Sequence, residues 1–170
     1  MKLQFLNTIK HEFKVEIISK KPKKINNLLC FVGSITIDDF TERFNMPLNS
    51  WPIEWYLQQW REGLQRIETH DTSCLVATVQ NLNTDPFVVM WVLYKKNNTV
   101  YIQNNLLINS IVNELKLPHL LHDFNPTTCY QFITKRETIT ETGEKISEWE
   151  TSLNAIEYFI KHQSNLFTRS

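Results

Sequence analysis

The chain has 170 residues, 42% of them hydrophobic and 12% aromatic, with 18 basic and 18 acidic side chains. That length fits one domain around one core, and a charged fraction of 21% excludes a wholly disordered chain. No apolar run is long enough to cross a bilayer, and the first ten residues lack the apolar stretch and small-residue cleavage site of a secretory signal, so a cytoplasmic protein is expected.

The neutral total hides an uneven distribution. Residues 1–24 hold seven lysines against Glu12 and Glu16, which leaves 11 basic and 16 acidic groups for the rest. An acidic body repels nucleic acid and steers basic proteins toward itself, an effect that salt screens. Within the basic leader, Phe13, Val15 and Ile17 alternate with polar residues, which predicts a strand added to a sheet. Lys20–Lys24, broken by Pro22, predicts an exposed turn.

Leu28–Ile37 is the second predicted strand, with Gly33 marking a bulge or weak point. Asp38–Phe44 is expected to be short helix or irregular. Ser50 then fits a helix N-cap, with Pro52 tolerated in the first turn. Ile53, Tyr56, Leu57, Trp60, Leu64 and Ile67 recur at three- and four-residue steps, one face of a helix from Trp51 to Ile67, with Glu62 and Arg66 placed to pair outside.

Three apolar runs follow: Cys74–Val79, Phe87–Tyr94 and Val100–Leu107. The second is apolar throughout, as in a strand buried on both faces. Lys95–Thr99 has hairpin-turn composition. Ile108–Phe124 fits either a short helix ended by Pro118 or an insertion. Thr127–Ile139 is expected as an edge strand, turning at Gly143 into a returning strand over Ile146–Glu150. Ser152 should cap a last helix whose inner face is Leu153, Ile156, Phe159 and Ile160, and Asn165–Ser170 should fray.

Several chemistries lack their residues. The three glycines, Gly33, Gly63 and Gly143, are isolated, so a phosphate cradle or a nucleophile elbow is excluded. Cys30, Cys74 and Cys129 are widely spaced within apolar runs and are expected as buried thiols. No C-x-x-C pair exists to begin a zinc site, and His119 and His122 do not complete one. No metal and no cofactor are expected. Glu148 and Glu150 could share a strand face for acid–base work, against the simpler expectation of a solvated face opposite Trp149. The five tryptophans could stack on single-stranded nucleic acid, but they lack interleaved basic residues, and packing of the core and its rim is favoured.

Three blocks resemble one family. They are Leu48-Asn-Ser-Trp-Pro-Ile-Glu-Trp-Tyr-Leu-Gln-Gln-Trp-Arg-Glu-Gly-Leu, then Trp91-Val-Leu-Tyr94 with Val100-Tyr-Ile-Gln-Asn-Asn105, then Phe132-Ile-Thr-Lys-Arg136 with Gly143-Glu-Lys-Ile-Ser-Glu-Trp149. In order and content they resemble immunity proteins of bacterial contact-dependent growth inhibition, over roughly residues 34–162. Residues 1–30 and the stretch around Ile108–Pro118 depart from that pattern. The resemblance implies an α+β fold of two packed antiparallel sheets, similar to Whirly domains, braced by a long central helix and a C-terminal helix. It implies one domain over residues 1–170, with 1–24 a basic extension and 34–162 the immunity-protein core.

The implied partner is a cognate toxin domain, a nuclease and by expectation an RNase acting on ribosomal RNA; no direct nucleic-acid ligand, membrane or small-molecule substrate is implied, and no catalysis. Carboxylates in loops and turns would face a basic toxin: Asp38, Asp39, Glu42, Glu68, Asp71, Glu141 and Glu144 are the candidates. Trp55, Trp60, Trp91, Tyr94, Tyr101 and Trp149 would form the scaffold, and the basic leader would face away from the toxin. The competing functions are a single-stranded nucleic-acid-binding protein of Whirly type and a hydrolase using Glu148/Glu150 or His119/His122.

Overall fold

A computed structural model describes residues 11–117 and 120–163. The first sheet contains β1 (Phe13–Ile17), β2 (Lys23–Ile25), β3 (Leu28–Ile37) and β4 (Phe40–Pro47). β3 is its spine. β1 and β2 share one edge of β3, and β4 runs along the other, all antiparallel. The second sheet is an antiparallel meander of β5 (Thr72–Gln80), β6 (Phe87–Lys96), β7 (Thr99–Leu107) and β8 (Trp149–Ser152). Between the sheets in sequence lies α1 (Ile53–Thr69); α2 (Asn109–Glu114) follows β7, and α3 (Leu153–Tyr158) follows β8.

Alternation explains the first sheet. Register pairs Phe13 with Ile37 and Val15 with Ile35, so one face carries a buried apolar row. The leader is therefore part of the core through β1, while Lys14 and Glu16 pair on the other face at 2.9 Å. Lys23 and Lys24, expected in a turn, belong to β2, and the turn to β3 falls on Asn26 and Asn27, both at positive φ. Two residues of that conformation make the hairpin turn that Asn favours.

Several sequence expectations are corrected. Asp38–Phe44 is not irregular: after a two-residue turn, Phe40–Pro47 forms β4. Thr127–Ile139 is not an edge strand but a 3-10 turn over Cys129–Phe132 and an extended connector. The returning strand expected over Ile146–Glu150 lies later, as β8 (Trp149–Ser152), and pairs with β7. The sheet irregularity falls at Ala77 in β5, not at Gly33, which sits in regular pairing beneath Phe44. The sheets meet where Phe40 stacks on Trp149 at 4.2 Å and leans on Trp91 at 6.1 Å. Phe159, beyond α3, meets Phe13 edge-on at 5.7 Å. Cys30, Cys74 and Cys129 are free and buried.

α1 packs along the open edge of β5 and replaces a neighbouring strand. The Gln59 amide donates to Cys74 O at 2.8 Å and accepts from Val76 N at 2.7 Å. Trp60 Nε1 donates to Val76 O at 2.8 Å. The Tyr56 hydroxyl accepts from Val79 N at 3.0 Å and donates to Pro47 O at 2.8 Å, tying β5 to β4. A Cβ on Gly63 would overlap the Cys74 carbonyl oxygen, so glycine sets how closely the helix approaches. Ser50 does not cap this helix: its hydroxyl accepts from Leu82 N at 3.1 Å, and Pro52 stands at the cap position. Arg66 does not pair with Glu62 but lies over the Tyr130 ring, 4.6 Å from its centroid. At the other end Lys95 Nζ donates to the carbonyls of Ile67 and Glu68, at 2.8 and 3.2 Å. A cation there also offsets the helix dipole.

Gly63→Ala should lower stability by about 2–3 kcal/mol, since backbone rather than a mobile side chain must yield. Gln59→Leu should cost about 2–4 kcal/mol by stranding a buried carbonyl and amide, and should promote aggregation through the uncovered β5 edge. Urea denaturation and light scattering measure both; wild-type behaviour of both variants would contradict this account of the edge.

Candidate functional site

The candidate carboxylates lie on three separate turns or strand ends. Asp38, Asp39 and Glu42 belong to the β3–β4 turn and β4, Glu68 and Asp71 to the α1–β5 turn, and Glu141 and Glu144 to the turn around Gly143. Asp38 is half-buried and already engaged. Its carboxylate accepts from Glu12 N at 3.0 Å and from Thr151 Oγ1 at 3.2 Å, and it meets His11 Nδ1 at 2.9 Å. It clasps the start of β1 and β8 to the β3–β4 turn. The other six are exposed.

Register places two of these groups at one end of the second sheet. Lys95 N donates to Asp71 O, Lys95 pairs with Val100, Val100 pairs with Thr151, and Thr151 bonds Asp38. Asp71 and Asp38 thus flank a row that includes Lys95, with Lys96 beside it, so this end carries both signs of charge.

Glu148 and Glu150 do not form a catalytic pair. Arg136 grips Glu148 with two bonds, at 2.8 and 2.6 Å, Gln103 Nε2 donates to the same carboxylate at 2.7 Å, and the guanidinium lies 3.9 Å above the Tyr101 ring. The Arg136 bonds hold the Glu148 carboxyl below its ordinary pKa, the reverse of what a general acid needs. With Tyr94 Oη on Thr134 O and Gln103 Nε2 on Glu137 O, this group pins the connector across the second sheet. Glu148 is a strut, where a solvated face was expected. Among the described residues no three His, Cys, Asp or Glu side chains gather to hold a metal ion. His122 is exposed and meets Asp123 at 3.2 Å; His119 lies outside the described residues.

The scaffold aromatics separate. Trp60, Trp91 and Tyr94 are buried, and Trp149 and Tyr101 are half-buried against the core. Trp55 is corrected: it is 40% exposed and points off the inner stripe of α1. Trp51 beneath it is buried, meets it edge-on at 6.0 Å, stacks on Phe124 at 5.5 Å, and donates Nε1 to Phe124 O at 3.2 Å.

Around Trp55 open shallow grooves lined by Asn49, Leu82, Asn83, His122, Asp123 and Asn125, and on the far side by Gln58, Pro126 and Thr127. The rims are fixed. Asn49 Nδ2 donates to Asn81 Oδ1 at 2.7 Å, Asn125 Oδ1 accepts from the amides of Thr127 and Thr128, and Thr128 Oγ1 donates to Asp123 O at 2.7 Å. Asn-Pro-Thr-Thr, residues 125–128, is a side-chain-capped turn, a signal present in the sequence.

Two antiparallel sheets, one with its edge closed by a helix, make an α+β frame that recurs in a solved toxin and immunity complex. A chain of the "CdiA-CT/CdiI toxin and immunity complex from Enterobacter cloacae" superposes with a TM-score of 0.72, at 30% identity, over 86% of this chain and 94% of that one. The immunity protein CdiI of Enterobacter cloacae subsp. cloacae is 32% identical over 151 residues, 88% of this chain and 98% of its own length. The CdiI N-terminal domain matches residues 46–159. The chain belongs to the CdiI family of contact-dependent growth inhibition immunity proteins. The domain match begins at the end of β4 and includes the stretch around Ile108–Pro118. No helix among the described residues is long and apolar enough to cross a membrane.

Because the folded-state pKa of Glu148 is lowered, its stabilising contribution is complete above the ordinary glutamate value of 4.5 and is lost as pH falls through the folded-state value. Glu148→Gln should therefore cost about 1–2 kcal/mol at pH 7, and its stability should converge on that of the wild type in acid. Urea midpoints at pH 7 and pH 3 check this; an undiminished gap at pH 3 would contradict it.

Proposed function

We propose that this chain binds the C-terminal toxin domain of a contact-dependent growth inhibition effector in the cytoplasm and silences it by occupancy. The toxin is a nuclease, an RNase acting on ribosomal RNA. The observation that carries the proposal is the likeness, over most of both chains, to a chain of a solved toxin and immunity complex. Family membership supports the same reading.

Occupancy requires a preformed surface and no bond-making step, hence no cofactor, small-molecule substrate or membrane. A nuclease must hold phosphates with cations, and the exposed carboxylates Asp39, Glu42, Glu68, Asp71, Glu141 and Glu144 steer such a surface toward this chain. Asp38 adds its charge from within the clasp. The competing function, single-stranded nucleic-acid binding, needs aromatic faces open among cations; Trp51, Trp60 and Trp91 are buried.

Cells that express the toxin domain encoded directly upstream should stop growing and lose intact ribosomal RNA, and co-expression of this chain should restore both. Growth arrest that persists beside soluble immunity protein would sink the proposal. Purified chain should not shift single-stranded DNA at physiological salt; a tight shift that survives that salt would favour the competing function.

A further inference from the structure

The two ends of α1 differ in charge and in shape. Trp55 and Glu68 are separated by about 20 Å along the helix axis. The Glu68 end carries the mixed charges of Asp71, Lys95 and Lys96. At the Trp55 end, three segments converge, residues 47–58, 80–86 and 120–128. They contain Glu54, Asp85 and Asp123 and not a single Lys or Arg, and their one histidine, His122, lies 3.2 Å from Asp123. All three carboxylate residues are exposed, and among the described residues none lining the grooves is a Lys or Arg.

The same end holds an aromatic side chain in a prepared position. Trp55 is fixed from below by Trp51, which is itself fixed by Phe124 through stacking and a hydrogen bond. Beside it the Asn49–Asn81 and Leu82–Ser50 bonds lock the loop after β5 to the entry of α1. A half-exposed indole that is already ordered adds contact area at little entropic cost. Such residues, set in grooves and ringed by polar groups, are the typical centres of protein interfaces.

We propose that the Trp55 end is where the toxin docks, with a cationic patch of the toxin domain against Asp85 and Asp123 and its central side chains against the indole. This rests on the toxin-binding function proposed above. The carboxylates at the Glu68 end contribute long-range attraction and lie outside the contact.

The test measures affinity for the purified toxin domain encoded directly upstream, by calorimetry, for wild type, Trp55→Ala, Asn83→Arg, Asp85→Asn/Asp123→Asn and Glu68→Gln/Asp71→Asn. Trp55→Ala should weaken binding by about 30-fold or more, and Asn83→Arg, which places a cation in the groove, by about tenfold or more. Asp85→Asn/Asp123→Asn should slow association at low salt, with the difference vanishing at high salt. Glu68→Gln/Asp71→Asn should stay within about threefold of wild type, an effect of steering only. Circular dichroism confirms folding of each variant, and hydrogen exchange of the wild-type complex should show protection in residues 49–57, 80–86 and 120–128. Wild-type failure to bind would overturn the function itself. Tight wild-type binding that survives both Trp55→Ala and Asn83→Arg, or protection confined to the Glu68 end, would overturn this docking site alone. A dimer of the free chain dissociated by Trp55→Ala would also overturn it, by assigning the face to a second copy.

Discussion

The outer edge of β5 is closed by side chains from a helix, and the rest of the fold is arranged around that closure. An exposed strand edge presents unpaired amides and carbonyls that would recruit another chain. Here Gln59 supplies both an acceptor and a donor, Trp60 supplies a donor, and Tyr56 supplies an acceptor while donating to β4. Each bond requires the helix axis to lie close to the strand, and Gly63 permits that approach. Ser73 Oγ adds a bond to Gly63 O at 2.6 Å, so the contact is held at the glycine itself.

Fixing α1 against β5 fixes both ends of the molecule. At one end the helix terminates on Lys95, beside the β6–β7 hairpin and the Asp38 clasp. At the other it begins at Trp51 and Trp55, and Trp51 reaches Phe124 to bring the connector alongside. The consequence for the proposed binding is preorganisation: the loops proposed to meet the toxin are hydrogen-bonded before it arrives, so less ordering entropy opposes association. The Arg136–Glu148–Gln103 group does for the connector what Gln59 does for the strand edge.

Much of this frame is legible in the sequence because one pattern dominates locally. The 3.6-residue stripe of α1 and the unbroken apolar run of β6 admit few alternatives. Gln59 falls among the inner-stripe residues by spacing, but its role depends on where β5 lies and is not legible in the sequence. β4 was missed because its inner row, Phe40, Glu42, Phe44 and Met46, is interrupted by an exposed carboxylate, which blurs the alternation. Thr127–Ile139 misled in the opposite sense. Cys129, Gln131 and Ile133 alternate as in a strand, yet the buried pair is Cys129 and Phe132, a spacing of three set by the Asn125 and Thr128 turn. Trp55 sits off the inner stripe, so its exposure is legible in the spacing, although an aromatic without basic neighbours reads as scaffold. The carboxylates were identifiable as charged groups in turns; that Asp38 is a clasp and Glu148 a strut depends on partners 113 and 12 residues away.

On the proposed function, an α+β frame whose polar groups are spent on holding loops in place acts by presenting a surface. Native mass spectrometry of this chain mixed in equal amounts with its cognate toxin domain is the most direct test of that claim. The result expected is one species at the sum of the two masses, with toxin activity lost in proportion to the amount added and complete at one equivalent. Two separate masses, or toxin activity abolished by far less than one equivalent, as a catalyst would achieve, would contradict it.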